Sequence, residues 1–158
     1  MNQENIRINN AALSCIVDNL KDIENNIDYV NNNTGKSEKS EQKIVEALKQ
    51  SRSLMALVNA ELIIALTDEN VLDSVDASIG VRNVPNKARK SDNRRVKGLV
   101  NIVDEVDEIL LLLETSVDET ISSKATVNLV NEEYDIISES LTNCMESINE
   151  IYQYSCSI

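Results

Sequence analysis

A chain of 158 residues has room for one domain, and this one carries no histidine, no tryptophan, no phenylalanine and a formal charge of −12. Without histidine, Ser-His-Asp and Cys-His catalysis fall away, as do the Glu-x-x-His pairs of di-iron bundles and nearly all mixed-ligand zinc sites. Three scattered cysteines, Cys15, Cys144 and Cys156, make neither a four-cysteine metal site nor a paired disulfide framework, so a reducing cytoplasm is the expected home.

The chain opens on Met1-Asn2-Gln3-Glu4-Asn5, which is polar and acidic and has neither part of a signal peptide. The first element follows. Ile6, Leu13, Leu20 and Ile27 step by seven, and Ile16, Ile23 and Val30 interleave at spacings of three and four. That is the two-residue stripe of a coiled-coil-like helix. Asn9 makes its first end polar. Asn31-Asn32-Asn33-Thr34-Gly35 then reads as a turn, because Asn and Gly tolerate left-handed backbone. Thr34-Gly35-Lys36-Ser37 ends like a phosphate-binding loop, but the second glycine that motif needs is replaced by Val30, inside the first seam. Ser37 or Ser40 suits the cap of the next helix.

The second seam carries Leu48, Met55 and Leu62 with Ile44, Val58, Ala65 and Leu72, interrupted by Ser51. Thr67 or Asp68 marks a local break, after which Val71, Leu72, Val75 and Ile79 continue with helical spacing. Gly80 suits a C-terminal cap, and the only proline, Pro85, comes soon after. The third seam has Val96, Val103, Leu110 and Val117 with Leu99, Val106 and Leu113. Ser122-Ser123-Lys124-Ala125-Thr126 is the third turn. It lacks Gly and Pro, so helices three and four are either separate or one kinked rod. The fourth seam has Val127, Tyr134, Leu141 and Ile148 with Val130, Ile137, Cys144 and Ile151. No useful stretch alternates with period two, so strands are not expected.

These elements predict an all-α fold: an up-down-up-down four-helix bundle built from two long antiparallel helical hairpins with coiled-coil-like seams. Residues 1–158 form a single domain, with hairpin one at 4–79, a basic Gly/Pro linker at 80–92 and hairpin two at 93–156. The longest purely apolar run, Ile109 to Leu113, is far too short to span a membrane. Cys144 reads as a small core residue and Tyr134 as a core residue with its hydroxyl at the edge. Tyr152 and Tyr154, with Ile151 and Ile158, either fray at the chain end or dock into a partner.

Charge is uneven. Residues 1–79 contribute −6 and residues 98–158 contribute −12, while Arg82, Lys87, Arg89, Lys90, Arg94, Arg95 and Lys97 oppose only Asp92. This basic stretch either neutralises its acidic neighbours or stays solvated; the sharper alternative is an anion or partner contact. Nucleic acid is the weakest version, since acidic flanks repel phosphate and no aromatic residue lies there to stack bases. Asp104, Glu105, Asp107 and Glu108, and then Glu132, Glu133 and Asp135, read as solvated faces. A weak calcium or magnesium site is the alternative, without a glycine-turned loop to shape it.

Residues 4–79, two long amphipathic stretches around Asn33-Thr34-Gly35, resemble the small helical-hairpin proteins of type VII secretion, the ESAT-6-like group. The tryptophan of that group's Trp-x-Gly turn is missing here. So is its Tyr-x-x-x-Asp/Glu signal: Ser138 stands four positions after Tyr134, and Asn33 four after Tyr29. The resemblance implies an export partner, by a route that needs no signal peptide, or a chaperone role.

The function expected is therefore non-catalytic, with no cofactor and no metal. The leading reading is an interaction or accessory protein that self-associates or binds a partner's amphipathic helix. A second reading is an acidic inhibitor that mimics nucleic acid. A third is the secretion accessory that the hairpin resemblance implies.

Overall fold

The computed structural model describes residues 3–32, 37–68, 84, 86–123 and 131–157. They form four long helices, α1 (Gln3–Asn32), α2 (Ser37–Asp68), α4 (Arg94–Ser123) and α5 (Asn131–Ser157), and a one-turn helix, α3 (Asn86–Arg89). A helix of 30 residues, the length of α1 and α4, runs about 45 Å, enough to carry four heptads of one stripe.

Cross-helix pairs fix the directions. Asn26 meets Gln50 and Tyr29 meets Lys39, so α1 and α2 run antiparallel. Arg52 meets Glu114 and Arg95 meets Glu61, which does the same for α2 and α4. Gly98 lies against Ile151 and Glu105 against Asn143, so α4 and α5 are antiparallel too. The four helices close into an up-down-up-down bundle. Packing is extensive for α1–α2, α2–α4 and α4–α5, and less so for α1–α5. Helices three and four of the sequence reading are thus two separate rods packed side by side, not one kinked rod.

The stripes meet in one continuous aliphatic core. Leu13, Ile16, Leu20, Ile23, Ile27 and Val30 of α1 are buried, as are Ile137, Leu141, Cys144, Ile148 and Ile151 of α5. The seam residues of α2 and α4 are buried as expected, except that Val117 is only half-buried. Both helices bury more than the narrow stripe, however. Ala47, Leu54 and Leu66 of α2 and Val100, Ile102 and Ile109 of α4 are also inside. Each of these helices is packed extensively by two neighbours, whereas α1 and α5 each have one such neighbour, so a broader face must be apolar. Ser51, which interrupts the second seam, is buried and donates its hydroxyl to the Ala47 carbonyl at 2.7 Å. The interruption is thereby satisfied within its own helix.

Gly98 is a close-approach point. A Cβ there would stand 2.5 Å from Cγ1 and 2.6 Å from Cδ1 of Ile151. The missing side chain lets α5 settle against α4, which offsets the roughly 1 kcal/mol that glycine costs inside a helix. Asn31 and Asn32, expected in the first turn, are the last residues of α1, and Ser122 and Ser123, expected in the third, are the last of α4, so both helices run two residues further than their turn-forming side chains suggest. The rest of those turns (Asn33-Thr34-Gly35 and Lys124-Ala125-Thr126), the continuation through Val71–Ile79, the Gly80 cap and Pro85 lie outside the described residues. So do Val127, Val130 and Ile158. The side chains of Ile6, Asn9, Ser37, Tyr154 and Cys156 lie outside them as well.

Candidate functional site

The basic segment singled out by its charge is not one surface. Arg89, in α3, turns its guanidinium onto Asp104 of α4 and donates two hydrogen bonds, each 2.9 Å, to the two carboxylate oxygens. These hydrogen bonds and the carboxylate charge raise the Arg89 pKa. Both side chains are about half exposed, so the pair orients α3 more than it stabilises the bundle.

Arg95 does the reverse of what a solvated linker residue would do. It folds inward and donates from Nη2 to Oε2 of Glu61 at 2.9 Å, with about a tenth of either side chain exposed. The pair ties hairpin two to hairpin one. Lys90, Arg94 and Lys97 remain exposed. Lys87 lies in α3, but its side chain is outside the described residues, as is all of Arg82.

The start of α4 supplies its own cap. Asn93 Oδ1 accepts from the backbone N–H groups of Arg95 (2.9 Å) and Val96 (3.1 Å), and the Asn93 carbonyl accepts from Lys97 N–H at 2.9 Å. Two of the amides that would hold an anion are therefore already engaged. Within the described part of the segment, Arg89 and Arg95 are each paired with an acidic neighbour.

The opposite charge is laid out more coherently. Between α4 and α5 runs a groove of about 350 Å³, lined by Asn101, Asp104, Glu105, Asn143, Ser147, Glu146 and Glu150. Asn143 spans it and donates to Glu105 at 3.2 Å. Asp135, Glu139, Glu146 and Glu150 are exposed along α5, which holds no Lys or Arg at all. Among the described residues, no group of three or more Cys, Asp or Glu side chains is arranged to hold a metal ion. The groove is a polar surface on which carboxylates predominate.

A second groove, about 590 Å³, runs along α2 beside Lys39, Lys43 and Lys49. Its lysines are partly engaged. The Lys39 and Lys43 ammonium groups lie 5.3 and 6.0 Å from the centre of the Tyr29 ring on α1, and Lys43 also pairs with Glu46 at 3.7 Å. Sequence reasoning missed this cluster. The available signal was two lysines spaced by four just after a turn that follows Tyr29.

Two further residues behave as their seam positions imply. Cys144 is fully buried, and burial, with help from the Glu105 charge, pushes its thiol up to about 12. It is a neutral core residue, and no thiolate nucleophile forms at neutral pH. Tyr134 is half-buried and donates its hydroxyl to Asp28 at 2.5 Å, joining α5 to α1. That hydrogen bond is the main cause of its raised pKa. Cys15 is exposed, and so is Tyr152.

No helix among the described residues is long and apolar enough to cross a membrane. No protein-family model matches the sequence, and comparison with curated proteins and with solved structures returns no match.

Proposed function

We propose that this is a non-catalytic helical interaction or accessory protein that binds another protein through its outer faces. The observation that supports this reading is the acidic α4–α5 groove. Asp104, Glu105, Glu146 and Glu150 line it, and α5 has no cation of its own. The apolar seams are covered by one another in the closed bundle, so a partner meeting the α4–α5 groove meets carboxylates. The partner's matching surface is basic.

A second reading draws on the same face. Carboxylates spaced along two antiparallel helices present negative charge where a nucleic-acid-binding protein expects phosphates, so the chain acts as an acidic competitor for such a protein. The two readings differ in what the partner does, and they share a prediction. Capture of partners from the native cell falls steeply with added salt, because exposed charge pairs are screened beyond about 8–10 Å at physiological ionic strength. Light scattering coupled to size exclusion gives a monomer over the same salt range. The triple variant Glu139→Lys, Glu146→Lys, Glu150→Lys folds as before and loses capture. Partner binding that is insensitive to both salt and this variant overturns the outer-face reading and returns the contact to the apolar seams. Displacement of the captured protein by DNA or RNA selects the competitor reading over the accessory one.

A further inference from the structure

The four seams of the bundle are not equally held. Within the hairpins, α1–α2 is bridged by the Asn26–Gln50 hydrogen bond, and α4–α5 by Asn143–Glu105 and the close fit of Gly98 against Ile151. Between the hairpins, α2–α4 packs as extensively as either hairpin and carries the nearly buried Arg95–Glu61 pair, with Arg52 and Glu114 3.8 Å apart further along. The remaining seam, α1–α5, packs least, and across it Tyr134 bonds to Asp28 at a half-buried position.

We infer that the bundle opens along α1–α5, the two hairpins swinging apart like covers with α2–α4 as the spine. Separation at this seam breaks less packing than separation at any other, and it leaves every helix and the Arg95–Glu61 pair intact. Local openings of this kind draw on the least-packed part of a structure. The open state exposes the inner rows of both covers, among them Leu20 and Ile27 of α1 and Ile137 and Cys144 of α5, all buried when the bundle is closed. It thus supplies a state in which an amphipathic helix of a partner meets apolar surface. This goes beyond the outer-face reading and does not depend on it.

Cys144 is a built-in reporter, because its side chain is fully buried in the closed bundle. In the full chain with Cys15→Ser and Cys156→Ser it is the one thiol left, and its reaction with an aromatic disulfide reagent is followed against urea. The expected result is labelling through an opening whose urea dependence is well below that of global unfolding followed by circular dichroism. Tyr134→Phe, which cuts the link across the opening seam, speeds labelling about three- to tenfold, as loss of one partly exposed hydrogen bond implies. Glu61→Gln, at the spine, lowers the global midpoint but changes the labelling rate less than twofold. If Glu61→Gln prevents folding, Arg95→Lys takes its place as the milder change at the same pair. Labelling with the full urea dependence of unfolding overturns the inference. So does labelling that accelerates with the spine variant as much as stability falls.

Discussion

Among the described residues, Cys144 carries the clearest pH signature. Burial and the neighbouring Glu105 carboxylate raise its thiol from 9.0 to about 12, so the folded chain keeps a proton that the unfolded chain sheds. A pKa raised on folding costs nothing below the unfolded value and removes stability as pH climbs from there to the folded value. Over the window from 9.0 to about 12 this amounts to roughly 1.4 kcal/mol per pH unit. Cys144→Ala removes that slope while leaving a small cavity. Below pH 9 the variant is expected to be the less stable protein. Above it the gap to wild type should narrow by about 1.4 kcal/mol per unit. Urea unfolding of both proteins at pH 8, 9 and 10 measures this, and a gap that stays constant shows that the thiol titrates as if it were exposed.

Individual helices were the easiest feature to read from the amino-acid order, and their edges the hardest. The seven-residue steps of Leu13, Leu20 and Ile27, or of Val96, Val103 and Leu110, name core residues because the stripe of a helix depends only on its own sequence. The extra burial of Leu54 and Ile102 depends on how many neighbours their helices have, which is a property of the assembled bundle. The start of α4 lies between these cases. The seam begins at Val96 and the second hairpin is expected from residue 93, and the structure shows the cause of the start at Arg94: Asn93 stands outside the helix and caps Arg95 and Val96. The first turn of α4 holds Arg94, Arg95 and Lys97 and no acid, the wrong sign for the positive end of a helix dipole. The cap therefore matters more here than at a helix with acidic residues in its first turn. Asn93→Ala is expected to destabilise the fold by about 1 kcal/mol, within the range of about 0.5–2 for such caps. Asn93→Asp or Asn93→Ser should recover most of it. Thermal unfolding followed at 222 nm compares the three, and an alanine variant indistinguishable from wild type would show that α4 starts without this cap.

At the scale of the whole molecule, two acidic hairpins must be held face to face in a chain of net charge −12. Self-repulsion opposes that closure, and apolar burial drives it. The basic segment was legible as a charge anomaly, but its work was not. Arg89 and Arg95 look alike in the linear sequence, and their partners lie 15 and 34 residues away. Only the fold brings Asp104 to the exposed arginine and Glu61 to the enclosed one. The Arg95–Glu61 pair sits where the hairpins meet, with both side chains about nine-tenths covered. Removing one partner strands a covered charge. Arg95→Ala or Glu61→Ala is thus expected to cost about 3 kcal/mol, the lower part of the range for broken buried pairs, since each group keeps some access to water. Replacing both by Met keeps the volume and removes both charges. The double variant should fall within about 1 kcal/mol of wild type or exceed it, because the attraction in a buried pair is largely offset by desolvation. Urea midpoints of the two single variants and the double variant give the coupling directly. Single variants that cost no more than an exposed pair would mean that water reaches Glu61 freely. The joint between the hairpins would then rest on aliphatic packing alone.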